Sequence, residues 1–315
     1  MTPLRRGYLF GLGAYGLWGF FPLYWKLLRP ASPIEILAHR IVWSVVFVAL
    51  VLVAVRRWRL VAELTRRPRT LAGIALAAAL VAGNWGTYIY GVNTGHVVET
   101  SLGYFINPLV TVLLGVGVLR ERLRPAQWVA LGVGGVAVAV LTVDYGRLPG
   151  IALQLAFSFA LYGLVKKRLG LPAAEGLLVE SAVLTVPALA YLGFLMAQGR
   201  STFGHVSAGH TALLVLAGAV TAVPLLLFAG AANRIPLSAL GVLQYTAPIL
   251  QLACGVLIFH EPMPPARLAG FALVWVALVV FTWDGVRHAR RVARTAAGTR
   301  AEAEADEAAL APAPA

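Results

Sequence analysis

The chain has 315 residues, 59% of them apolar and only 12% charged, with a mean hydropathy of +0.79, which excludes an ordinary soluble domain. Its net charge of +13 would suit a nucleic-acid binder in a soluble protein, but the basic residues sit in short loops between apolar runs, so nucleic acid is not expected as a partner. The single cysteine, Cys254, lies inside an apolar run, which excludes a disulfide framework and a thiolate metal cluster.

Ten apolar spans are predicted, at roughly 7–28, 34–55, 70–92, 97–119, 126–143, 148–166, 173–196, 211–231, 237–259 and 266–283. About 20 residues at 1.5 Å each cross a hydrocarbon core of about 30 Å, so an all-α integral membrane protein is expected. Arg5 and Arg6 precede an apolar segment too long for the core of a cleavable signal, so the first span is expected to be its own signal anchor. With the N-terminus in the cytoplasm, that side collects Arg5, Arg6, the six arginines of the 56–69 loop, Arg120, Arg122, Arg124, Lys166, Lys167, Arg168 and Arg234. The opposite face keeps Arg29, Arg147, Arg200 and Arg267. This bias predicts a multi-pass protein with both termini cytoplasmic. After Asp284 the chain turns basic and then Ala-rich and acidic, which predicts a disordered cytoplasmic tail over 286–315.

The third and fourth spans carry the densest polar content. Between Arg69 and Arg120 there is no lysine or arginine, yet the stretch 84–108 reads NWGTYIYGVNTGHVVETSLGYFINP. A tight turn near Asn93, Thr94 and Gly95 divides it, which sets Asn84 and Tyr88 on one helix and Tyr104 and Asn107 on the next. Polar groups at that depth need partners or a water-lined cavity.

A single offset of 140 residues aligns the two halves without gaps. It pairs Pro108, Gly115, Glu121 and Pro125 with Pro248, Gly255, Glu261 and Pro265, and also Lys26 with Lys166, Glu35 with Glu175 and Asn93 with Asn233. Five spans per half is an odd number, so the repeats are expected to be inverted: 1–145 and 146–285, each a five-helix unit. Inverted repeats place a substrate site at their interface near the midplane. The offset superposes a stripe of Tyr104, Pro108, Thr111 and Gly115 on one of Gln244, Pro248, Gln251 and Gly255, spaced i, i+4, i+7, i+11. A mid-span proline frees a carbonyl one turn earlier, which neighbouring polar side chains or a ligand can satisfy.

The expected substrate cavity is therefore lined by Trp18, Asn84, Tyr88, Tyr104, Asn107, Gln244, Tyr245 and Gln251, with Trp85 as a further aromatic wall. The charged residues inside spans are Glu35, His39, Arg40 and Glu180, with Lys26 near a span end. Glu35 and His39 lie one turn apart and could share a proton. Arg40 and Glu180 occupy equivalent repeat positions with opposite charge, about two turns into their helices, where each needs a partner or water. Gly132, Gly134 and Gly135 lack the preceding strand and following lysine of a nucleotide loop and are expected to serve close helix packing. No GxSxG, HExxH or CxxC pattern occurs, so no catalytic residue, metal or cofactor is expected.

Several of these segments resemble a known family. WGFFPLYWK (18–26), EILAHRIVWS (35–44), GNWGTYIYGVN (83–93), ETSLGYFINP (99–108), AFSFALYGLVKK (156–167), VPLLLFAGAA (223–232) and LSALGVLQYTAPILQ (237–251) are similar to RarD-type permeases of the EamA group, within the drug/metabolite transporter superfamily. The resemblance covers about 7–284 and implies a ten-helix permease of the bacterial cytoplasmic membrane. The reading that follows is a transporter moving a small metabolite or drug by alternating access, with proton-coupled export expected. A non-transporting membrane sensor and an intramembrane lipid-modifying enzyme are the alternatives. The expected partners are a small-molecule substrate and the lipid bilayer, with a homodimer left open.

Overall fold

A computed structural model describes residues 2–54, 68–120, 123–169 and 173–310. Residues 56–67 of the basic loop, Glu121, Arg122 and the side chains of Arg69 and Glu175 lie outside the described residues, so the parts of the charge pattern and repeat register that they carry are not described.

All regular structure among the described residues is helical. Helix α1 (Pro3–Gly19) starts at Thr2, whose hydroxyl accepts from Arg5 N, with proline at the first helical position, where no N–H is needed. It stops at Phe20, and α2 (Phe21–Leu27) follows at once. Helices α3 (Pro33–Ala54), α4 (Pro68–Asn93) and α5 (Val97–Leu119) come next. The turn between α4 and α5 uses Gly95 at φ 78°, a left-handed conformation that suits glycine. Helix α6 (Pro125–Tyr145) ends at Gly146 in the same region, and α7 (Gly150–Leu169), α8 (Ala173–Ala197) and α9 (Ala208–Ala232) follow. The segment expected as one span at 237–259 is divided into α10 (Leu237–Leu243), α11 (Thr246–Ala253) and a π-helical turn, Cys254–Ile258.

The last helix, α12, runs from Pro265 to Leu310. The sequence predicts a disordered tail from 286, whereas the described backbone continues as helix. Alanine, glutamate and arginine, which dominate that stretch, are good helix formers.

Eight of the described helices are long and apolar enough to cross a membrane, and Gly150–Lys166 is a shorter apolar helix. Large apolar side chains such as Val143, Val186 and Leu257 are more than two-thirds exposed, as an outward face bathed in lipid tails requires. Inside, α6 packs on α12, α5 on α7, and α3 on both α8 and α9. Helix α4 packs on α7 and α8, α1 on α9, and α11 on both α1 and α5.

Two ion pairs fasten α6 to α12 at opposite ends: Arg267 Nε to Asp144 at 2.8 Å, and Arg124 Nε to Asp284 at 2.7 Å. Glu99 accepts from both terminal nitrogens of Arg147 and from Ile151 N, tying α5 to the start of α7. That hydrogen bonding pushes the Arg147 guanidinium up from its ordinary value. Glu261 accepts from Val97 N (2.7 Å) and Val98 N (2.8 Å), which satisfies the first amides of α5 with a carboxylate, as the helix dipole favours.

The glycines expected to mediate packing divide. A Cβ on Gly134 would lie 2.5 Å from Leu109 Cδ1, but at Gly132 and Gly135 nothing approaches within 4 Å, so only the first serves a close approach. The tightest contact is at Gly218 in α9, where a Cβ would lie 2.3 Å from the carbonyl carbon and oxygen of Trp43 in α3. Backbone cannot yield there as a flexible side chain can. Gly218→Ala is therefore expected to destabilise the protein by about 1–3 kcal/mol, the usual cost of overpacking, while Gly132→Ala leaves thermal melting unchanged.

Candidate functional site

The break that ends α1 lies against the end of α11, where the chain passes into the π-helical turn. Pro22 has no N–H, so the carbonyl of Trp18, one turn earlier, loses its helical donor and α1 ends. Gln251 Nε2 from α11 donates to that carbonyl at 3.1 Å, and Cys254 Sγ approaches the carbonyl of Gly19 at 3.9 Å. Pro248 does the same to the carbonyl of Gln244, and the chain turns between α10 and α11 at Gln244 and Tyr245. Gln251 was expected to line a cavity. It is buried and holds the two broken segments together, although its Oε1 remains without a partner among the described residues.

A second cluster lies on the other side of these breaks. Asn84 in α4 is fully buried, and its Nδ2 donates to the Leu155 carbonyl (2.8 Å) and to Ser158 Oγ (3.0 Å) of α7. Tyr104 Oη of α5 donates to Asn84 Oδ1 at 3.3 Å, and its ring meets Tyr88 edge-on with centroids 5.5 Å apart. Three helices thus converge on Asn84. Tyr104 and Asn107 stay half-buried and Thr111 is exposed, while Gly115 at the end of the stripe is buried. The Asn107 Oδ1 has no partner among the described residues.

Arg40 sits against the same cluster. It is 3% exposed, and its Cζ lies 3.8 Å from the Trp85 ring centroid and 5.1 Å from that of Trp25. Among the described residues no carboxylate forms a salt bridge with it, and its electrostatic neighbours are Tyr104 and Tyr88. Trp25 was not singled out as a site residue in the sequence. Aromatic residues are common in such a chain, and only the fold brings this one over Arg40.

The remaining charged candidates separate from this centre. Glu180 is paired with Lys166 Nζ at 2.6 Å and accepts from Tyr162 Oη at 3.1 Å, so its expected partner exists within its own half. Glu35 does not hold a proton jointly with His39 through a direct hydrogen bond. Its Oε1 accepts from Thr202 N (2.7 Å) and Ser201 Oγ (3.3 Å), while the His39 ring stacks on Phe203 with centroids 4.8 Å apart. The His39 Nε2 is buried without a partner among the described residues. Glu35 also borders a cleft of about 450 Å³ with Tyr90, Tyr191, Arg200 and Thr202.

Trp18 packs in an aromatic group with Tyr15 and Phe228 and also borders the core cluster that holds Tyr88. Tyr245 borders a larger, apolar groove of about 830 Å³ with Phe105, Ile249, Trp275 and Trp283, which opens sideways between α11 and α12. The expected cavity set is therefore three neighbourhoods: Asn84, Tyr88, Tyr104 and Asn107; Trp18 with Gln251; and Gln244 with Tyr245. Asn93, placed at a turn by the sequence, is buried, and its carbonyl accepts from Arg29. Among the described residues no group of three or more His, Cys, Asp or Glu is placed to hold a metal.

The EamA-like transporter family matches residues 5–143. A protein named RarD from Streptomyces exfoliatus is 58% identical over 287 residues, covering 91% of each chain. The chain belongs to the RarD-type permeases of the EamA family. Another relative, the uncharacterized transporter YojE of Bacillus subtilis, is 44% identical over 91% of this chain and 96% of its own. A solved crystal structure at 20% identity shares the fold, with a TM-score of 0.57 over 89% of this chain and 98% of that one. The chain is thus a multi-pass membrane transporter, and its relatives' names fit a non-enzyme.

The Gln251 bond to the Trp18 carbonyl is testable in this RarD-type permease. Gln251→Leu keeps the side chain's bulk but strands a carbonyl in the bilayer interior, so it is expected to lower stability by about 1–2 kcal/mol in thermal or denaturant melting.

Proposed function

We propose that this permease moves a small metabolite or drug across the bacterial cytoplasmic membrane by alternating access between two inverted five-helix repeats, ten spans in all, as proton-coupled export with both termini cytoplasmic. The observation that carries this reading is an asymmetry between equivalent segments. Both α5 and the α10–α11 segment hold a proline at corresponding positions, Pro108 and Pro248. Yet α5 passes through Pro108 as one helix while the other breaks at Gln244 and Tyr245. Two copies of one motif in different conformations are what a rocking pair of repeats needs.

The packing supports the repeat itself. Taking α1–α2 with α7, α3 with α8, α4 with α9, α5 with α10–α11, and α6 with α12, the exchange returns the same neighbours. The α1 contact with α9 becomes α7 with α4, α5 with α7 becomes α11 with α1, and α3 with α9 becomes α8 with α4. The ion pairs at the two ends of α6 and α12 use Asp144 and Asp284, 140 apart in the sequence. Among the described residues the only non-glycine residues with left-handed backbone are Arg120 and His260, both at φ 55° and again 140 apart.

For the coupling, His39, whose Nε2 has no partner among the described residues one turn from the buried Glu35, is the first candidate and Glu180 the second. The orientation rests on the charge bias of the loops. Substrate contact is assigned to Tyr104 and Asn107: both residues are half-buried, and the Asn107 Oδ1 has no partner among the described residues. In proteoliposomes with a radiolabelled solute screen, Tyr104→Phe and Asn107→Ala are each expected to lower flux about tenfold, the worth of one hydrogen bond of about 1.4 kcal/mol, without loss of membrane insertion. Collapsing the pH gradient should abolish accumulation, and flux indifferent to the gradient would sink the coupling.

A further inference from the structure

A guanidinium buried without a carboxylate needs another source of compensation. Cation–π contact at Trp85 and Trp25 contributes about 2 kcal/mol when desolvated, whereas taking an unpaired ion out of water costs several. Arg40 Nε has no hydrogen-bond partner among the described residues. Neither do three other donors on the surrounding elements: Trp25 Nε1, Trp43 Nε1 and the Tyr88 hydroxyl, all buried. Ser44 Oγ, one turn beyond Arg40, is buried and unpartnered as well. Trp43 stacks with Phe203 on the α9 side, and the other four unpartnered buried groups, Arg40 Nε, Trp25 Nε1, the Tyr88 hydroxyl and Ser44 Oγ, lie on α2, α3 and α4. A native core seldom leaves even one such group unsatisfied.

We propose that this cluster is the receptor for the anionic end of the transported solute, and that the solute class is an amphipathic carboxylate. The guanidinium edge offers a planar, forked set of donors that matches a carboxylate in two parallel hydrogen bonds. The two indoles flank the guanidinium and supply an apolar wall for the part of the solute next to its carboxylate. That wall disfavours a compact, strongly hydrated dianion such as inorganic phosphate, which has no apolar surface to set against it. Tyr104, half-buried and hydrogen-bonded to Asn84, is an electrostatic neighbour of Arg40 and marks the side from which the solute approaches. The solute class rests on the transport reading, whereas the anion site itself is tested by binding alone.

The test uses the purified full-length protein in lipid nanodiscs, with benzoate, its neutral counterpart benzamide, and inorganic phosphate as probes. Melting temperature and tryptophan fluorescence are the readouts, because a ligand bound to the native state raises stability with its occupancy, and Trp25 and Trp85 report locally. Benzoate is expected to raise the melting temperature and shift the fluorescence in a saturable way, and benzamide is not. Arg40→Gln should need at least tenfold more benzoate for the same shift. Arg40→Lys, which keeps the charge and loses the fork, should fall between the two. Trp85→Leu, which leaves the cation in place, should weaken benzoate too and serves if Arg40→Gln does not fold. Equal responses to benzoate and benzamide, an unchanged benzoate response in these variants, or a response to phosphate alone would each overturn the assignment. If no solute is transported in liposomes while benzoate still binds through Arg40, the transport reading fails and the anion site stands.

Discussion

A carbonyl inside a bilayer must find a donor in the protein, and the centre of this molecule is organised around one that lost its own. Pro22 removes the amide that would have met the Trp18 carbonyl, and the α1 helix ends there. Gln251 supplies the replacement from α11. That bond draws the broken first segment against the broken ninth, so the two irregular stretches of backbone lie inside protein rather than against lipid. The break at Phe20 lies beside Leu250 and Cys254, while the break at Gln244 and Tyr245 lies further back along α1, near Gly11 and Tyr15.

The intramembrane charges differ in how far the fold compensates each of them. Glu180 has a short ion pair with Lys166 and a phenol donor, an arrangement complete without a ligand. Glu35 takes an amide and a hydroxyl from the 198–207 connection, which ties that connection to the start of α3. Among the described residues Arg40 has aromatic neighbours, Trp25 and Trp85, and no salt bridge. Removing one partner of a satisfied buried pair costs about 3–5 kcal/mol, and a cation that never had such a partner is at a comparable disadvantage. A stable fold tolerates this where function requires it.

Much of the architecture was legible from residue pattern, because the bilayer permits few solutions. Apolar runs of about 20 residues bounded by arginines mark helices, and prolines in register mark where helices are weakened. The tail is an exception: its Ala-rich composition reads as disorder by charge and as helix by propensity, and the backbone follows propensity. The site was legible as a set of residue types and not as a grouping. Tyr104 and Asn84 do meet, but Gln251 serves the backbone and Tyr245 faces a lateral groove. The 140-residue offset could also have marked Asp144 with Asp284, and Arg120 with His260. Aspartates at span ends look like ordinary interfacial charges until their arginine partners are seen across α6 and α12.

Sequence alone determined that this chain crosses a membrane repeatedly, that it has the RarD-type motifs, and that its polar residues concentrate at a few depths. Those properties follow from hydrophobicity and spacing, which are local. Only the tertiary structure decided which polar group meets which. It set Trp25 and Trp85 around Arg40, gave Glu180 to Lys166, and gave Gln251 to the Trp18 carbonyl. These pairings depend on helix rotation and on where a proline breaks a helix and where it does not. At Pro108 and Pro248 the same residue has two outcomes, a continuous helix and a broken one, which the local sequence pattern does not distinguish.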